Sequence, residues 1–258
     1  MPLVFAGIVP HSPLLVPGVA KEHYPLFSQT IKSVAVMSAE LYATQPDAVV
    51  ILSPHMTSVP DHVTVQVGDR LEGNLTEFGD PSTTVSLWGA TGLAHLLKAM
   101  AEQQKLMLEV QTPTAIDYSV TISAMLLGLS THSVQCLPIG VAHVGAAALL
   151  RVGLLLNEWC HQRPERMAII ATADLTRRHD SNTAERRPTK EEREISLAVT
   201  AVDPAPLGAY VGKSKTCGIQ PITTLLACLQ PHRSKGTIRS FEAPLGVGQM
   251  VADVSLGA

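Results

Sequence analysis

The feature that most constrains this chain is a set of four short, nearly unbroken apolar runs at residues 3–9, 48–52, 134–141 and 167–172. Such runs are too short to cross a bilayer as helices and too uniformly apolar for strands with one wet face. They suit strands of a parallel sheet covered on both sides. Helical periodicity fills the intervals between them. Phe27, Ile31, Val34, Ser38 and Leu41 form a stripe at helical spacing, and helices are expected at 91–102, 120–129, 145–160 and 191–202. Pro221 fits a first helical turn, and Leu225, Leu226 and Leu229 extend that helix over 220–229.

Strands alternating with helices imply crossover connections and the α/β class. The expected architecture is a single domain over residues 1–258, with a mixed central β-sheet flanked by helices on both faces. Residues 62–67 and 247–256 alternate more strongly and read as antiparallel additions. A length of 258 residues sits near the upper end of what one core can hold. With 46% hydrophobic but only 4% aromatic residues, aliphatic side chains must do most of the packing.

Charge and cysteine usage remove several function classes. A formal net charge of −3 leaves no electrostatic footprint for nucleic acid or an anionic membrane surface. Cys136, Cys160, Cys217 and Cys228 lie far apart, which is not a disulfide framework and fits a reduced, cytoplasmic setting. The first twenty residues are apolar, yet they lack a basic flank and are broken by Pro2, Pro10, Pro13 and Pro17, so they do not read as a signal peptide. Residues 177–193 mix both charges densely and read as a solvated loop leading into a helix.

In open α/β sheets, ligands bind just beyond the carboxyl ends of the strands. The run at 3–9 opens into Pro10-His11-Ser12-Pro13, that at 48–52 into Ser53-Pro54-His55, and that at 167–172 into Ala173-Asp174-Leu175-Thr176. Two of these strand ends deliver a histidine directly after a proline. A single loop histidine is more often a satisfied hydrogen-bonding group. Two in matching context at matching topological positions make half a metal site, imidazole being the commonest transition-metal ligand. His23, His62, His95, His132, His161 and His232 read as surface or helix positions, while His143 and His179 stay as secondary candidates.

These residues resemble a known family. Gly7-Ile8-Val9-Pro10-His11-Ser12-Pro13-Leu14-Leu15-Val16-Pro17 resembles the opening motif of class III extradiol dioxygenases of the LigB type and their Memo-like relatives. Val49-Val50-Ile51-Leu52-Ser53-Pro54-His55 resembles the second motif, a strand ending in a ligand histidine. Asp117-Tyr118-Ser119-Val120 resembles the motif that begins a central helix, and Ala173-Asp174-Leu175-Thr176-Arg177 a later strand motif. Lys215-Thr216-Cys217-Gly218-Ile219-Gln220-Pro221-Ile222 resembles the Cys-Gly segment of the Memo branch.

The resemblance implies that His11 and His55 bind metal, with Cys217 as third ligand and Glu242 as the carboxylate alternative. It implies Fe(II) as the metal, with copper or zinc as alternatives. The reaction would be oxidation of a catechol-like aromatic by O₂ at open coordination positions. Asp174, Tyr118 and Arg177 fall at catalytic positions of the motifs. The dioxygenases carry histidines where Tyr118 and Arg177 stand. Tyr118 would then serve as the acid and Arg177 would orient substrate. Two other readings are a Memo-like metal-binding protein without ring cleavage and, more distantly, a zinc hydrolase. The sequence is compatible with a homo-oligomer.

Overall fold

The computed structural model describes residues 2–57, 59–177 and 187–257. Its strands and helices run, in chain order, β1 (Leu3–Val9), α1 (Pro17–Ala20), α2 (Ser28–Ala43), β2 (Ala48–Ser53), β3 (Val63–Gln66), β4 (Arg70–Leu75), β5 (Asp80–Gly89), α3 (Thr91–Gln103), β6 (Leu108–Gln111), α4 (Tyr118–Leu126), β7 (Gln135–Gly140), α5 (Ala146–His161), β8 (Met167–Thr172), β9 (Asp174–Arg177), α6 (Lys190–Ala201), α7 (Ile219–Leu229), β10 (Lys235–Glu242) and β11 (Val247–Ser255). Among the described residues these strands form one mixed sheet, with the order β10-β11-β1-β8-β2-β7-β3-β6 along its main path.

The four apolar runs are the central strands β1, β8, β2 and β7, and neighbours among them pair in parallel. β2 and β8 are buried at every position, as strands covered on both faces must be. Alternate residues serve the two layers. Val50, Leu52, Leu137, Ile139, Ile169 and Ala171 join the core under α3, α5, α6 and α7. Val49, Ile51, Cys136, Ala168 and Ile170 join the core under α2 and α4. Trp159 of α5 is fully buried in the first layer, where truncation to alanine would cost about 3–5 kcal/mol.

β11 pairs antiparallel with both β1 and β10, as its alternating sequence suggests. β3 is antiparallel to β7 but parallel to β6, so the expectation of a purely antiparallel addition holds on one side only. The β4–β5 hairpin, β6, β9 and β10 carry too many polar residues to stand out in the sequence. In β4 the exposed and buried residues alternate strictly, its outer face being solvated. α6 begins with a capping box in which Thr189 accepts from Glu192 N–H and the Glu192 carboxylate accepts from Thr189 N–H. Such a cap contributes about 1 kcal/mol and fixes where the charged segment becomes helix. His179 and most of that segment's first half lie outside the described residues.

Candidate metal centre

The parallel arrangement of β1, β8 and β2 brings their carboxyl ends to one edge of the sheet. His11 leaves β1 there, His55 leaves β2, and Asp174 follows β8. Asp174 begins the short strand β9, which pairs with β11 beyond the end of β1. This detour places the Asp174 carboxylate under the departing chain, where its Oδ1 accepts the His11 backbone N–H at 3.0 Å.

The His11 ring is buried, and its Nδ1 lies 3.1 Å from Thr172 Oγ1. That contact orients the imidazole so that Nε2 points away from β8. His11 Nε2 then lies 3.1 Å from His55 Nε2 and 3.4 Å from Cys217 Sγ. The ligand atoms of all three residues fall within 4.8 Å of one another, and two of the three side chains are only partly buried. Two nitrogens bound at ~2.0–2.1 Å to a tetrahedral ion stand about 3.3 Å apart. The donor spacing here therefore fits a shared cation, and the mixed imidazole–thiol set suits a transition metal.

Cys217 reaches the cluster through a close approach of two backbones. Its Sγ lies 3.5 Å from the Asp174 carbonyl, and Gly218 N–H donates to the same oxygen at 3.1 Å. A Cβ on Gly218 would sit 2.7 Å from the Ala173 side chain, so the turn can lie this close only with glycine there. Glu242, the carboxylate alternative, is not brought to the cluster. It accepts the Thr30 N–H of α2 at 2.8 Å.

His55 is held from the opposite side. Its backbone N–H donates to Ser53 Oγ, which also lies 3.0 Å from Asp117 Oδ2 and 2.9 Å from Ser119 Oγ. Asp117 is the N-cap of α4, accepting from the N–H groups of Ser119 and Val120. Tyr118, next in sequence, stacks on His55 with ring centroids 4.9 Å apart and meets Phe78 edge-on at 5.1 Å. Thr172, Ser53 and Asp117 were not singled out as site residues from sequence. Each stands at or beside a motif residue, and that adjacency is the only signal that could have found them.

Burial sets the electrostatics. It pushes His11 and His55 down to about 4, with Arg177 further lowering both and the charge of Asp117 opposing. Both imidazoles are thus neutral at pH 7, with a lone pair free for a cation. Burial pushes Asp174 up to about 6 and, together with the Asp174 charge, Cys217 up to about 12. The Tyr118 hydroxyl is raised well beyond its ordinary range by burial and the nearby Cys217 and Asp174, so it stays protonated. Arg177 itself is exposed on β9 and acts on the cluster through its charge. His143 is exposed and lies outside the cluster.

A cavity of about 190 Å³ opens beside the cluster, lined by Cys217, Pro54, Tyr210, Lys215 and Gln220. A larger one of about 450 Å³, lined by residues that include Tyr42, Asp47 and His132, lies at the amino ends of β2 and β7, away from this chemistry.

The sequence profile of the family described as the catalytic LigB subunit of aromatic ring-opening dioxygenase matches residues 6–199. That span holds His11, His55, Tyr118, Asp174 and Arg177 and ends before Cys217. Protein CA_C1420 of Clostridium acetobutylicum is 21% identical over 257 residues, covering 93% of this chain. The match takes in 55% of that protein, so the chain spans about half the length of this relative. The crystal structure of the uncharacterized protein JW3007 from Escherichia coli K12 aligns with a TM-score of 0.67 at 13% identity, over 97% of this chain and 99% of that one. At that identity the likeness is one of fold. No helix among the described residues is long and apolar enough to cross a membrane.

Proposed function

Since this chain belongs to the LigB family of aromatic ring-opening dioxygenase subunits, we propose that it is a metal-dependent oxidoreductase. It acts on a small chelating aromatic, catechol-like in its adjacent oxygens, with O₂ as co-substrate. The observation that carries this reading is the convergence of His11 Nε2, His55 Nε2 and Cys217 Sγ at one sheet edge. These three residues would hold the metal, Fe(II) in the first instance. When bound, such an ion supplies open positions at which a chelating substrate and O₂ meet.

The remaining roles belong to the protein's own groups. Thr172 and the Asp174 carboxylate fix His11, by its ring and by its backbone respectively. Ser53 fixes the backbone of His55, and Tyr118 packs flat against its ring. The protonated Tyr118 hydroxyl serves as a proton or hydrogen-bond donor, not as a base. Arg177 supplies a fixed positive charge that can orient an anionic oxygen of the substrate.

One specific observation favours a second reading. The third member of the cluster is a thiol, and soft donors suit Cu(I) and Zn(II) better than Fe(II). A Memo-like metal-binding protein without ring cleavage would use the same three ligands. Metal analysis of protein purified without oxygen or chelators separates the two. Iron, with an absorption change on adding catechol, supports the oxidoreductase. Copper or zinc, with no catechol response after loading with Fe(II), would replace it by the binding role.

A further inference from the structure

Cys217 is held in the cluster from both directions along the chain. On its far side, Gly218 N–H donates to the Asp174 carbonyl at 3.1 Å. On its near side, Thr216 N–H donates to Ser214 Oγ at 2.8 Å, a turn in which a serine hydroxyl accepts from the backbone two residues on. Thr216 is buried, so its N–H needs that acceptor. The Ser214 hydroxyl in turn donates its own proton to the Glu191 carboxylate of α6. With that proton directed at an anion, the contact is charge-assisted and the oxygen keeps its lone pairs for Thr216. Three residues along α6, on the same face, Glu194 accepts the Tyr210 hydroxyl at 2.5 Å. Ser214 N–H donates to the Tyr210 carbonyl at 2.9 Å, which closes the segment on itself. Tyr210, Ser214 and Cys217 all line the cavity beside the cluster.

A cysteine reaches its ligand atom through a single side-chain torsion, so the backbone that carries it decides where Sγ falls. The 3.4 Å separation of Cys217 Sγ from His11 Nε2 therefore depends on the peptide at Thr216 as much as on the one at Gly218. The Tyr210–Glu194 contact ties the segment to α6 at a distance from that peptide. Ser214 does more, because the hydroxyl that meets α6 also grips the residue just before the ligand. We propose that Ser214, with its hydroxyl polarised by Glu191, is a positioning residue of the metal centre that fixes Thr216 and so aims Cys217 at His11. The inference rests on the metal-binding reading above and extends it to two residues that supply no ligand atom.

The test measures Zn(II) affinity of the full chain, by competition with a chromophoric chelator, with the melting temperature of the metal-free protein as the check on folding. Ser214→Ala should bind about tenfold more weakly, at the low end of what losing an outer partner of a metal ligand costs. Ser214→Thr keeps the hydroxyl and should recover most of that loss. Glu191→Ala should also weaken binding, and the double variant with Ser214→Ala should lose no more than the larger single loss, because both changes break one relay. Tyr210→Phe cuts the neighbouring tie to α6 but leaves Thr216 N–H paired, and should cost less than Ser214→Ala. Native affinity in Ser214→Ala, additive losses in the double variant, or an equal loss in Tyr210→Phe overturns the proposal while leaving the metal centre standing. If Ser214→Ala does not fold, Glu191→Ala carries the test, and native affinity there overturns it equally. Failure of the native chain itself to bind Zn(II), Fe(II) or Cu(I) overturns both.

Discussion

His11 and His55 meet at their Nε2 atoms, 3.1 Å apart, with the two rings nearly perpendicular. Burial holds both imidazoles neutral, so each can carry its remaining proton on Nδ1 and present a lone pair to the other. A cation held between them would turn that opposition into ligation. His11→Ala and His55→Ala should each weaken Zn(II) or Fe(II) binding by more than about 100-fold, beyond the range seen for outer-shell partners. The partly exposed His55 can be removed with little effect on the fold, and its metal-free variant should melt within a few degrees of native. Full metal occupancy in both variants would reduce these residues to loop histidines.

Cys217 provides an independent chemical handle. Its thiol, pushed up to about 12, is protonated at neutral pH in the metal-free chain, so binding must release that proton. With both histidines already neutral, affinity should rise about tenfold per pH unit above pH 6 from the thiol alone. Bound metal should also protect Cys217 from alkylation, whereas Cys136, Cys160 and Cys228, all buried, should stay unreactive in either state. Equal labelling of Cys217 with and without metal would take it out of the ligand set.

The same site should shape the acid stability of the metal-free protein. The folded-state values of His11 and His55, near 4, lie below their ordinary 6.5. The unfolded chain therefore binds more protons between those values, and stability is lost as pH falls from 6.5 towards 4. Asp174, raised from 3.8 to about 6, works the other way: its folded form takes up a proton more readily and offsets part of the loss over that window. Asp174→Asn removes the offset. Urea midpoints followed from pH 7 to 4.5 should fall more steeply for this variant than for native, and parallel profiles would contradict the assignment.

Much of this arrangement was legible in the sequence because burial on both faces leaves an uninterrupted apolar signature. β1, β2, β7 and β8 have it, and the His11 and His55 positions follow from where those strands stop. β9 has no such signature. Asp174-Leu175-Thr176-Arg177 pairs only because β1 ends and leaves an edge of β11 free, a consequence of tertiary arrangement. Cys217 shows the same contrast. Its motif was visible, but its place beside His11 depends on Gly218 lying against Ala173, 45 residues away in the chain.

By the resemblance, Tyr118 and Arg177 stand where the dioxygenases carry histidines, so variants at these two positions test the ring-cleavage reading. Tyr118 is stacked on His55 and stays protonated, so it can give a hydrogen bond or a proton but cannot accept one as a base. Tyr118→Phe preserves the stack and removes only the hydroxyl. If the hydroxyl is the acid, turnover of a catechol should fall by roughly 10²–10⁴-fold, the usual cost of losing a positioned acid–base group. Metal content should not change. The double variant Tyr118→His with Arg177→His runs the test in reverse. It restores a group that can both donate and accept near neutral pH, and on an Fe(II)-loaded protein it should raise the rate on simple catechols. A native protein and a double variant that both leave catechols intact when loaded with Fe(II) would end the oxidoreductase reading in favour of metal binding without ring cleavage.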